Sequence, residues 1–268
     1  MADPTRRQFL TIGAASFAGG VLVCAGTAHA TPQWVDERQA GPFIFHSTFP
    51  LGPYEKLFSE LPKLQQHLRG ALATAPPRDP IYVHLLANRA QHEAYVCERF
   101  PSIPYRRALF VKTSNQSNVF AYRHEDLATD LRHECTHALL HSDLSTLPLW
   151  LDEGVAEYFE TPAEQRVAGS PHLAELDWSL RLGIVVDVPA LEKKRELTEL
   201  TALDYRFAWA WIHFLLHGPP AAHRELSAFL IDLRRGTPAG DFSERLAAAT
   251  PKPNEQLIRH FRNWRTAI

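Results

Sequence analysis

Between Tyr54 and Leu72 the residues Leu57, Leu61, Leu64, Leu68 and Leu72 recur every three or four positions, the period of one buried helix face, with Pro62 as an interruption. Pro76-Pro77-Arg78-Asp79-Pro80 ends that helix. Phe43–Thr48 and Ile81–Leu86 read as strands and Asn88–Phe100 as a helix. Ala108–Lys112 and Asn118–Arg123 read as a hairpin across Ser114-Asn115-Gln116-Ser117. From Asp126 the pattern turns helical: Asp126–His141, Leu149–Glu160, Leu203–His217, Ala221–Arg235, and a C-terminal pair starting near Phe242 and Asn254. Glu192-Lys193-Lys194-Arg195-Glu196 reads as a solvated helix face. Strands followed by helices predict an α+β fold, with a small N-terminal mixed sheet and its helices, then a mainly helical C-terminal lobe, and a cleft between them. Residues 31–40 read as a linker and 41–268 as a single domain, with an α/β lobe over 41–141 and a helical lobe over 142–268.

Composition narrows the class. The 268 residues are 45% hydrophobic and 22% charged, enough apolar material for a sizeable core and too little charge for a disordered polymer. A net charge of −2 supplies no broad positive field, which argues against nucleic acid or an anionic membrane surface as the main partner. The single Met is Met1, so no Met-turn can form and the metzincin proteases are excluded.

The first 30 residues read as a targeting segment. Thr5-Arg6-Arg7-Gln8-Phe9-Leu10 is similar to the twin-arginine signal, a Gly- and Ala-rich run follows to about Ala25, and Ala28-His29-Ala30 offers a cleavage site. The run falls short of the roughly 18–20 apolar residues that span a bilayer, so no stable membrane span is expected after cleavage. The expected partner at this stage is the twin-arginine export machinery, and the destination is periplasmic or secreted. Cleavage would leave Cys97 and Cys135, and Cys135 reads as a buried thiol on a packed helix.

The chemistry gathers at His133-Glu134-Cys135-Thr136-His137. On a helix, residues four apart differ by about 40° around the axis and about 6 Å along it, so both imidazoles can reach one ion, and the intervening Glu134 can take a proton from a water there. A chain with these residue counts would show about 0.05 such matches by chance. With Asp130 at 0° on the wheel, His133, His137, His141 and Glu134 lie between about 300° and 40°. Leu127, Leu131, Cys135, Ala138 and Leu139 lie on the other side. His141 stands about 12 Å along the axis from His133, too far to share an ion, and reads as a helix-terminal His favoured by the dipole. A third ligand is needed, and Leu149–Tyr158 presents two carboxylates one turn apart, Glu153 and Glu157, opposite an apolar face of Leu151, Val155, Tyr158 and Phe159.

His-Glu-x-x-His followed by Trp150-Leu151-Asp152-Glu153-Gly154-Val155-Ala156 resembles the gluzincin zinc peptidases, especially short exported bacterial domains of the peptidase MA type. The matching pair of motifs covers about Asp126–Glu160, and the 15 residues between His137 and Glu153 make a gap a little shorter than in aminopeptidase members. The resemblance implies a zincin-like fold with an active-site cleft between the two lobes, a Zn2+ cofactor and a peptide or protein substrate. It implies His133, His137 and Glu153 as metal ligands, Glu134 as general base, and Glu157 as the carboxylate that holds a ligand His by its free ring nitrogen. Such domains often place a Tyr on a helix after the Glu ligand, which favours Tyr205 as the oxyanion donor over Tyr158 or His213. The function implied is an exported zinc metallopeptidase. The alternatives are a catalytically inactive peptide- or protein-binding scaffold and a zinc amidase acting on cell-wall peptide. His46, His67, His84, His92 and His124 follow no ligand spacing.

Overall fold

A computed structural model describes residues 9–11, 32–114 and 116–267, the side chains of 9–11 and 265–267 excepted. Arg6, Arg7, Cys24, the Ala28–Ala30 cleavage site and Asn115 lie outside the described residues. The fold is α+β, a mixed sheet with ten helices among the described residues. The described residues divide into two compact units, one drawn from 9–11, 32–63 and 77–138 and the other from 64–76 and 139–267.

The first unit is built on the sheet. Strands β2 (Asp36–Ala40), β3 (Phe43–Ser47), β4 (Ile81–Leu86), β5 (Ala108–Lys112) and β6 (Ser117–Tyr122) lie in the order β5-β6-β4-β3-β2, and β1 (Phe9–Thr11) pairs along the outer edge of β5. β3, β4 and β6 run parallel, whereas β2/β3 and β5/β6 are antiparallel hairpins. The parallel pairing of β3 with β4 needs a crossover, which the helix α1 (Glu55–Leu72) supplies, running on through Pro62. Residues 36–40 form a strand where the sequence reads as a linker. Their Asp-Glu-Arg-Gln pattern carries no apolar alternation because β2 is an edge strand, where charged side chains discourage further pairing. Gly41 turns the hairpin at φ +58°, a left-handed conformation that costs a glycine little. One side of the sheet buries Phe43 and Phe45, with Phe45 edge-on to Phe58 of α1 at 4.6 Å. A second cluster gathers Leu86, Leu109, Val111 and Phe120 with Tyr95 and Val96 of α2 (Arg89–Arg99), whose start is capped by Asn88 accepting from the Gln91 N–H.

The second unit is helical. It includes α4 (Leu149–Phe159), α5 (His172–Arg181), α6 (Val188–Glu192), α7 (Ala202–His217), α8 (Pro220–Arg235), α9 (Phe242–Ala249) and α10 (Pro253–Ala267). The sequence pattern misses α5 and α6. It also extends a helix through Glu192–Glu196, where α6 ends at Glu192 and the exposed charges lie in the following turn. The core packs Trp150, Trp209, Trp211, Phe214 and Phe242, all fully buried. α4 and α7 cross closely at Gly154, where an added Cβ would stand 2.7 Å from the Ala208 carbonyl oxygen and 2.9 Å from Ile212 Cγ1. Gly154→Ala would gain about 1 kcal/mol in helix propensity, but the clash is with backbone and cannot be relieved by turning a side chain. Overpacking of this kind costs about 1–3 kcal/mol, so a net loss of stability is expected, read as a lower denaturant midpoint. An unchanged or raised midpoint would show that the helices can separate freely there.

Candidate metal centre

The helix α3 (Leu127–Asp143) carries His133, Glu134 and His137 and passes from the first unit into the second between Ala138 and Leu139. Its start is fixed within the first unit. Arg107 donates to both oxygens of Asp130 at 2.7 and 2.8 Å and to Asp126 at 3.1 Å, while His124 Nε2 lies 3.1 Å from Asp130. Burial pushes the Asp130 carboxyl up, and the hydrogen bonds from His124 and Arg107 outweigh it, so the group stays below the usual carboxylate range and ionised. Asp130 is one turn before His133 on the polar side of the helix, so this anchor bears directly on the azimuth of the motif.

His133, Glu134 and His137 are all buried, and every residue from Asp130 to His141 is as well. The two-faced wheel is therefore not an inside and an outside; the polar side is interior too. His133 Nε2 and His137 Nε2 stand 3.1 Å apart. Two nitrogens bound to one tetrahedral ion at 2.0–2.1 Å would stand about 3.3 Å apart, so the pair is already near that spacing. Glu153 of α4 is fully buried, and one ligand atom from each of His133, His137 and Glu153 lies within 4.8 Å of the others. This buried His133–His137–Glu153 group can bind a metal ion, its two nitrogens and one oxygen suiting zinc or another divalent metal.

The remaining predicted residues divide. Glu157, one turn after Glu153, is buried, and its Oε2 is 2.7 Å from Nε2 of His172, the first residue of α5. The sequence reading omits His172 because α5 itself escapes the pattern. Tyr205 sits in the first turn of α7, half-buried, just past a Thr201–Asp204 capping box. Tyr158 is occupied, its hydroxyl 2.7 Å from His217 Nε2, and burial pushes the phenol up to about 12. His141 lies in the last turn of α3, as the sequence implies, and is buried, with Nε2 2.9 Å from Asp152 Oδ2. Cys135 is buried, with its thiol pushed up by burial, and no disulfide joins it to Cys97.

His213 belongs to a separate buried group. Its Nε2–H donates to the Val167 carbonyl at 3.0 Å, which leaves Nδ1 to accept from His260 Nε2–H at 2.9 Å. Burial holds His213 at about 3 and His260 at about 4, so both are neutral in the folded protein. In the unfolded chain they take up protons near the ordinary His value of about 6.5. The stability they contribute is complete above that value and is lost as pH falls toward the folded values. His213, the more deeply buried of the two, adds a slope of up to about 1.4 kcal/mol per pH unit near pH 5, and His260, more open to solvent, adds less. Urea midpoints at pH 7.5 and pH 5 should show this fall, and His260→Gln should flatten it; equal midpoints would contradict neutral burial.

No protein-family model matches the chain, and comparison with curated proteins finds no relative.

Proposed function

We propose that the chain is a zinc-dependent metallopeptidase of the gluzincin type, with a zincin-like fold, exported by the twin-arginine route to the periplasm or beyond. The observation that carries this reading is the buried His133–His137–Glu153 group with Glu134 on the same helix turn. His133, His137 and Glu153 would hold the ion through two ring nitrogens and a carboxylate oxygen. A zinc ion bound there supplies Lewis acidity, polarising a carbonyl and lowering the pKa of a water toward about 7. Glu134 accepts a proton from the attacking water and delivers it to the departing amine nitrogen. Tyr205 is the proposed donor to the carbonyl oxygen as it gains charge, and Glu157, which also pairs with His172 through Oε2, is the proposed carboxylate that holds a ligand His by its free ring nitrogen. The export proposal rests on Arg6, Arg7 and the apolar run behind them.

The test is zinc content and hydrolysis of a broad peptide library by the wild type and by Glu134→Gln. One zinc per chain with cleavage abolished by the substitution supports the peptidase. Zinc without cleavage of any peptide supports a binding scaffold, and cleavage confined to cell-wall peptide supports an amidase.

A further inference from the structure

We propose that the buried His141–Asp152 pair is the positioning element of the candidate metal centre, holding α4 at the rotation that presents the Glu153 carboxylate to the two ring nitrogens. The inference rests on the reading of His133, His137 and Glu153 as ligands. His141 is one turn after His137 on α3, and Asp152 immediately precedes Glu153 on α4. Their 2.9 Å contact closes the turn between the two helices, with both side chains under 5% exposed. Tyr158 to His217 and Glu157 to His172 are also directional bonds on α4, but His141–Asp152 is the one at the residue next to Glu153. The crossing at Gly154 sets how near α4 lies to α7, but a glycine offers no side chain to resist rotation about the helix axis. A helix with its side chains has a radius of about 5–6 Å, so a 20° turn displaces a carboxylate by about 2 Å, a whole metal–ligand bond length. A hydrogen bond between a ring nitrogen and a carboxylate resists that turn, because its strength falls steeply off the favoured angle. Two apolar side chains would fill the same space and leave rotation to packing alone.

The chemistry at the pair is positional: neither residue belongs to the candidate ligand group, and no proton needs to move. The expected consequence is on metal affinity, by the 10- to 100-fold that groups supporting a ligand contribute. The experiment measures zinc affinity by competition with a chromophoric chelator on the full chain, with melting of the metal-free protein as the fold control. His141→Leu with Asp152→Leu removes the bond and keeps the volume apolar. His141→Asn, a shorter side chain that falls short of Asp152, is the second disconnecting variant should the double one fail to fold. His141→Gln restores a donor of suitable reach. Expected is at least tenfold weaker zinc binding in a disconnecting variant that melts cooperatively, and affinity within about threefold of wild type for His141→Gln. Wild-type affinity in a folded disconnecting variant overturns the positioning role, as does a His141→Gln variant weakened as much as the others. A wild type that binds no zinc overturns the ligand assignment itself, and that result is separable because it appears before any substitution is made.

Discussion

Glu134→Gln is expected to lower kcat for peptide hydrolysis by about 10²- to 10⁴-fold, the range that a positioned proton acceptor contributes, while leaving zinc content at one per chain. The amide is nearly the same size as the carboxylate it replaces, so the buried space around residue 134 stays filled. What it loses is basicity: an amide oxygen cannot take the proton of an attacking water at neutral pH. The loss should fall on kcat with little change in KM, because a group that acts on the reacting atoms contributes in the transition state rather than in binding. Steady-state kinetics on one cleaved peptide, with zinc measured on the same preparations, separate the possibilities. A variant retaining more than a tenth of the wild-type rate would remove Glu134 from the reaction. Zinc lost together with activity would make it part of the binding site instead.

Glu153→Ala should weaken zinc binding by more than about 100-fold, since it deletes one of three donors, a larger change than the 10- to 100-fold effect of losing a group that only supports a donor. Two imidazoles with Nε2 atoms 3.1 Å apart can still chelate an ion, so weak binding through His133 and His137 should persist. Hydrolysis is expected to vanish at limiting metal and to recover only in part at high zinc. The metal-free melting temperature provides the control, because a variant that is merely unfolded would lose its cooperative transition. Unchanged zinc affinity in a folded Glu153→Ala variant would mean that Glu153 is not a ligand.

The sequence reveals elements and local spacing well where the apolar pattern is strong. The α1 leucines, the β5/β6 hairpin and the α7 run are placed close to their observed bounds, because one-sided burial leaves a period in the sequence. β2 escapes because an edge strand need not be apolar, α6 because it is little more than one turn long, and α5 because it buries only Leu176, Ser179 and Leu180, too few apolar positions to leave a period. That omission had a cost at the site, since His172, the partner of Glu157, opens α5. Tyr158 shows the reverse: the sequence admitted it as a donor, but its hydroxyl is bound to His217.

By itself the sequence determined that His133 and His137 share one side of a helix with Glu134 beside them, because that follows from 3.6 residues per turn and nothing else. It also determined that Glu153 and Glu157 lie one turn apart on a second helix. Only the tertiary structure decided that Glu153 comes within reach of both imidazoles, that the polar side of α3 is as buried as the apolar one, and that His141 meets Asp152. The reason is physical. Periodicity fixes angles within an element, whereas the distance and rotation between two elements depend on close packing and on directional bonds between residues far apart in the chain.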